Sequence, residues 1–301
     1  MIGLGMKGKE EARETCSLLY LGLGTLKKME WVSMGRIYTI VRVTFLGGVR
    51  DRTLLGIFIL GLLLMATIPV VSYFSMRQTT EVAAGYALSV ISLIGLLLTV
   101  FMGGNLISRD IDRKGIHTVV TLPISRTQYM IGKFLGLALL LFISLLILYL
   151  LAALAIFFTS LQYPPSRPLR WEIYLLVVIL EYVMLLVVSA VSVLFNTFAT
   201  STFLPMALTL AVYGIGQSTV LVKDYLEKVP EATAISPVIA YIAKASYYIF
   251  PNLSSFDIRN GFVYSLPVNL PYLVMVLLYG FFYLGVVLLM ATYFFGRRDL
   301  T

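Results

Sequence analysis

The sequence predicts an all-α polytopic membrane protein, with six transmembrane helices behind an N-terminal interfacial amphipathic helix and both termini cytoplasmic. Composition, the spacing of charge and the distribution of basic residues predict it. Mean hydropathy is +0.92, 59% of the 301 residues are hydrophobic and 13% are charged, about half the charged share usual in a water-soluble domain. Five tracts, Thr53–Met76, Val82–Ser108, Phe134–Ser166, Tyr182–Val222 and Asn260–Gly296, hold no Asp, Glu, Lys or Arg. A helix needs roughly 20 apolar residues to cross the hydrocarbon. Four tracts therefore suit one crossing each, and Tyr182–Val222 suits most of two, broken at Asn196-Thr197 and Thr200-Ser201-Thr202. Runs such as LALLLFISLLILYLLAALAIFF are continuously apolar, whereas membrane strands alternate polar and apolar positions in segments of about ten.

Residues 1–30 are polar and Gly-containing and read as a cytoplasmic N-terminal tail. Across 31–52 the pattern changes. At 100° per residue Trp31, Met34, Ile37, Tyr38, Val41, Phe45 and Val49 share one arc; Ser33, Arg36, Thr39, Arg42 and Arg50 lie mostly on the other, with Ile40 and Val43 as exceptions. That is an amphipathic helix with a basic face, suited to the headgroup layer. Residues 53–301 form one transmembrane domain whose helices are expected at Thr53–Phe74, Gly85–Ile107, Tyr129–Phe158, Glu172–Phe195, Thr202–Val222 and Tyr272–Phe295. Two outer loops, Ser75–Ala84 and Thr159–Trp171, are short. The third, 223–271, holds five prolines around the partly apolar PVIAYIAKASYYIF and is the natural place for an outer gate or an extracytoplasmic partner protein. Within it PNLSSFDIRNG reads as a capped turn, with Asn252 or Ser254 accepting from a following short helix.

Orientation follows from the basic residues. The side carrying both termini and the insert between helices two and three holds 16 Lys and Arg, the other side 7. The net charge of +8 is thus orientation plus attraction to anionic headgroups, not a sign of nucleic-acid binding. A single cysteine, Cys16, excludes an internal disulfide, and a single histidine, His117, leaves no Cys/His metal set.

The insert, 108–128, carries the most chemistry. Helix two is expected to run out near Ile107, leaving Arg109, Asp110, Asp112, Arg113 and Lys114 as a mixed-charge patch beside Gly115. In HTVVTL, Val119, Val120 and Leu122 form an apolar knob on a short helix ended by Pro123. Ser125 or Thr127 can cap the next helix, with Arg126 just inside it. An apolar tip with charged shoulders suits docking into another protein's groove; a solvated loop obeying the positive-inside bias explains the same residues. Inside the spans Glu181 is the lone acid. A charged carboxylate near the bilayer centre costs about 2.5–3.5 kcal/mol, so Glu181 should face protein or a water-filled path, in a gating or substrate role or as an interhelical hydrogen-bonding group. Asn105 and Asn196 read as interhelical hydrogen-bonding residues. Asp110 and Asp112 also suggest an alternative, a membrane-embedded magnesium-dependent lipid or prenyl transferase, although no second acidic cluster accompanies them. GLGMKGKE, from Gly3 to Glu10, has Glu10 where a phosphate loop needs Ser or Thr, so no ATPase is expected in the chain itself.

The run LISRDIDRKGIHTVVTLPISRTQYMIGKFLG resembles the signature loop of ABC type-2 (ABC-2) transporter permeases. It is most similar to the multicopper-enzyme-maturation (NosY-like) branch, whose pattern is an acidic residue, a charged stretch, a short hydrophobic run, then Pro-x-Ser-Arg and Gly-Lys. Pro123, Ser125, Arg126, Gly132 and Lys133 match; Asp110 replaces Glu and Gly115 replaces Thr. FPNLSSFDIRNGFVY also resembles that branch before its last helix. The resemblance implies a permease subunit whose insert is a coupling helix seated, through Asp110, Asp112, Arg113, Val119, Val120, Leu122, Pro123, Ser125 and Arg126, in a separate ABC ATPase subunit. It implies two copies of that ATPase, a second permease copy or paralogue, and a prokaryotic cytoplasmic (inner) membrane. The chain would hold no cofactor; ATP and magnesium would belong to the partner, serving export or an extracytoplasmic maturation process. A non-transporting mechanotransmitter would use the same coupling.

Overall fold

The structure, a computed structural model, describes residues 35, 37–75, 78–112, 125–165, 168–199, 201–228 and 250–297, with the side chains of 105–112 and 220–228 not described. Among these residues every regular element is helical. In chain order they are α1 (Ile37–Val49), α2 (Arg52–Ala66), α3 (Ile68–Tyr73), α4 (Thr79–Asp112), α5 (Arg126–Gln162), α6 (Trp171–Phe198), α7 (Phe203–Lys228), a 3₁₀ turn (Ser254–Phe256), α8 (Arg259–Val263) and α9 (Leu270–Arg297). Five of them, counting α2–α3 as one, are long and apolar enough to cross a membrane. The predicted fifth span, Thr202–Val222, is helical as α7, whose side chains beyond Thr219 lie outside the described residues.

Two helices form the centre. Within their most apolar stretches, α4 is 72% and α6 78% buried, against 22% for α2–α3 and for α9. Ile91, Ile94, Leu98, Leu137, Leu141, Leu148 and Leu185 are fully enclosed between α4, α5 and α6. Leu63, Leu154, Leu278, Phe282 and Leu289 are exposed on the outer faces of α2, α5 and α9. Lipid rather than water makes such faces stable, because tails are as apolar as the side chains and association depends on close packing. The seam between α4 and α6 shows that packing. A side chain at Gly103 would fall on Ser192, and the Asn196 amide donates to the Gly103 carbonyl at 2.6 Å. Asn196 is thus the interhelical hydrogen-bonding residue expected; the Asn105 side chain lies outside the described residues.

Several boundaries depart from expectation. The first span is not one helix: it breaks at Thr67, where Pro69 removes a donor and its ring clashes with the preceding turn. The Thr67 hydroxyl compensates by bonding the Leu64 carbonyl at 2.7 Å and the Tyr86 hydroxyl at 2.8 Å. Helix two does not run out near Ile107 but continues to Asp112. Its backbone bonds are internal, so leaving the apolar stretch costs the helix nothing. The next helix starts at Arg126, three residues before its expected start, and ends at Gln162. Of the predicted 31–52 helix, the structure describes Ile37–Val49 as α1 and places Asp51 as the cap of α2, its carboxylate accepting from Thr53 N at 2.8 Å. The 1–30 tail, residues 229–249 of the 223–271 loop and the end of the chain lie outside the described residues.

Candidate functional site

Two groups of residues bear on function, one at the start of α5 and one buried in the bundle. Of the coupling residues expected from the sequence, Arg113, Val119, Val120, Leu122 and Pro123 lie outside the described residues. Asp110 and Asp112 fall on the last turn of α4. Their side chains lie outside the described residues.

Ser125 and Arg126 have structural duties. Ser125 forms a capping box: its hydroxyl accepts from Gln128 N at 3.2 Å while the Gln128 side chain accepts from Ser125 N at 3.3 Å. The Arg126 guanidinium donates to the Gly296 carbonyl at 3.0 Å, fastening the start of α5 to the end of α9. One turn on, Tyr129 stacks on Phe295 at 6.0 Å between ring centres, and Lys133 lies 5.6 Å over the Tyr129 ring. Gly132 and Gly136 then receive α1. A Cβ at Gly132 would meet Ile40 at 2.9 Å, and one at Gly136 would meet Thr44 at 2.6 Å and the Val41 carbonyl at 3.0 Å. The insert's far shoulder is therefore a joint where α1, α5 and α9 meet.

The second group centres on Glu181, which is 2% exposed in the middle of α6. Its Oε1 has no hydrogen-bond partner among the described residues. Ser92 of α4 lies within hydrogen-bonding reach of its carboxylate, and the Ser92 hydroxyl accepts from Arg259 Nη1 at 3.0 Å. Tyr149 of α5 and Tyr213 of α7 lie within electrostatic reach of the carboxylate. Tyr213 is held by Gln217 at 3.2 Å.

Arg259 reaches this site from the segment 250–263, which is stitched into the bundle at several points. Leu253 N donates to the Gly216 carbonyl at 3.1 Å, Asn252 N to the Tyr279 hydroxyl at 3.0 Å, and Phe262 is fully buried against Tyr174 at 5.1 Å between rings. The expected caps are different here. Asn252 Oδ1 accepts from Thr219 and Ser254, and Asp257 Oδ1 accepts the first backbone N–H of α8, Arg259 N, at 3.1 Å. Asp257 also takes the Arg259 Nε at 2.8 Å. Burial works to raise the Asp257 carboxyl, but the hydrogen bonds and charge of Arg259 outweigh it and hold it below the usual carboxylate range. The hydrogen bond to Asp257 in turn raises the guanidinium against its own burial. Beside the pair lies a cavity of about 290 Å³ lined by Glu81, Ser89, Asp257, Arg259 and Asn260. Glu81 lies in the first turn of α4, so Glu181 is not the lone acid within the helical spans. Sequence reasoning missed Ser92, Tyr149, Asp257 and Arg259. The D-x-R spacing of Asp257 and Arg259 was the one visible signal, and nothing in a serine among apolar neighbours marks Ser92.

The sequence model of a family described as ABC-2 family transporter protein matches residues 38–300. No curated protein matches the chain.

Proposed function

The chain belongs to the ABC-2 transporter family, and on that premise we propose that it is the permease subunit of an ATP-driven exporter or maturation system, coupled to its ATPase through the insert 108–128. Family membership and five apolar spans make it a multi-pass membrane protein whose family implies partnership with an ABC ATPase subunit. The proposal adds two ATPase copies, a second permease copy or paralogue, the NosY-like branch, cytoplasmic termini and a prokaryotic inner membrane. ATP and magnesium would be held by the ATPase. The long loop 223–271 would face an extracytoplasmic partner protein.

The observation that supports this reading best is the joint at the start of α5. Two long helices, α4 and α5, flank the insert as stiff stalks. The Ser125 capping box starts α5 as soon as the insert ends, and Arg126, Gly132 and Gly136 tie α5 to α9 and α1. A push on the insert would therefore move three helices together, as a rigid-body transition requires. In this reading Ser125 and Arg126 transmit force rather than touch the ATPase, and contact belongs to Asp110, Asp112, Arg113, Val119, Val120, Leu122 and Pro123. Glu181 serves as the intramembrane gating or substrate group. Co-expression with an ABC ATPase encoded beside it should give a complex on affinity purification, and Val120→Asp should abolish capture and ATPase stimulation. Capture unaffected by Val120→Asp would remove the docking assignment.

A further inference from the structure

Glu181 is an expensive residue for its position. A buried carboxylate oxygen without a donor costs about 1–3 kcal/mol or more, and a leucine or methionine at the same helical position would avoid that cost. Its neighbours are polar groups from four elements: Ser92, Tyr149, Tyr213 and, through Ser92, Arg259. That is more polar chemistry than an interhelical staple needs, and it still leaves Oε1 unmatched.

The way the positive charge arrives is informative. Arg259 is the cation felt at Glu181, and it belongs to the inserted segment 250–263 rather than to a spanning helix. It shares that segment with Asp257, two residues away, to which Nε and Nη2 are committed. If the segment withdraws, Arg259 leaves with Asp257 as a neutral pair. The charge left behind in the bundle is the carboxylate of Glu181, with the Ser92 hydroxyl beside it. In a medium of low dielectric that charge selects strongly for a partner of opposite sign that also donates hydrogen bonds.

We propose that Glu181 and Ser92 form a binding site for a cationic, hydrogen-bond-donating group of the transported molecule, an amine or amidine, and that segment 250–263 closes it with Arg259 standing in the cation's place. This assignment rests on the permease reading above and names the substrate class that reading leaves open. Cargo entry and segment withdrawal are one exchange: an incoming cation takes over the hydrogen bond that Arg259 donates to Ser92, and the Asp257–Arg259 pair moves off intact. The cavity beside Asp257 and Arg259 gives the pair room on its outer side.

The test uses the purified full-length chain in lipid nanodiscs, with benzamidine as probe and benzamide as its neutral isostere. Benzamidine should bind about ten-fold or more tighter than benzamide, as expected when a desolvated carboxylate meets a donor of opposite charge. Glu181→Gln should erase that preference, and Ser92→Ala should weaken benzamidine binding several-fold. Arg259→Gln should strengthen it by removing the resident competitor, while Glu172→Gln, on the exposed first turn of α6, should change nothing. If Glu181→Gln fails to fold, Glu181→Asp keeps the charge one methylene back and should retain the preference at reduced affinity. Equal binding of the two probes, or a preference that survives Glu181→Gln, overturns the proposal. ATPase capture measured on the same preparations separates the two readings: its loss refutes the permease assignment without touching the probe result.

Discussion

At the residue scale, the Asp257–Arg259 pair is open to titration. Asp257 is held below its ordinary value, so its contribution is present above 3.8 and is lost as pH falls through its folded value. Arg259 is raised, so its contribution is present below the ordinary guanidinium value and is lost only as pH rises through a still higher one. As far as this pair holds it, the inserted segment should stay docked from about pH 5 to pH 10 and loosen only in stronger acid. Hydrogen exchange at 250–263 as a function of pH measures this; loosening near neutrality would contradict it. Ser125→Ala removes one half of a capping box and should cost about 1 kcal/mol, read as a lower thermal midpoint in detergent with ATPase capture retained. Both effects depend on pairings that only the folded chain creates. Yet the Ser125 cap was visible in the sequence, because its partner Gln128 lies three residues away.

At the element scale, α1 is held by close approach rather than by its amphipathic pattern alone. The pattern predicts a helix lying at an interface; it does not say which helix it touches. Gly132 and Gly136 on α5 leave the space that Ile40 and Thr44 occupy, which gives a physical reason for glycine at both positions. Gly136→Val should lift α1 from α5, raising hydrogen exchange across 37–49 and uncoupling ATPase stimulation while leaving the five apolar spans folded. The α4–α6 seam makes a second prediction. Asn196→Leu removes the donor to the Gly103 carbonyl and should destabilise the chain by about 1 kcal/mol, within the range for interhelical bonds in membranes. Denaturation in mixed micelles reads that difference, and no change would show that the bond is replaced. The break at Thr67 was legible as Pro69, whereas the extension of α4 to Asp112 was not, since charge ends an apolar tract without ending a helix.

At the scale of the whole molecule, the proposed orientation has a direct test. A cysteine at Thr118 should react with an impermeant thiol reagent only after the membrane is opened, and one at Asn252 should react from outside; the reverse labelling would overturn the cytoplasmic assignment of the insert. Sequence by itself determined that the chain is helical and belongs in a bilayer, where four of the five apolar spans start to within three residues, and that its charge is uneven. These are properties of composition and period, fixed by the solvent each stretch can tolerate. Only tertiary structure decided that α4 and α6 are central, that Arg126 fastens α9, and that Arg259 reaches Glu181 through Ser92. Each of those joins residues tens to hundreds of positions apart, and close packing, which a linear pattern does not encode, chooses among the many polar partners available.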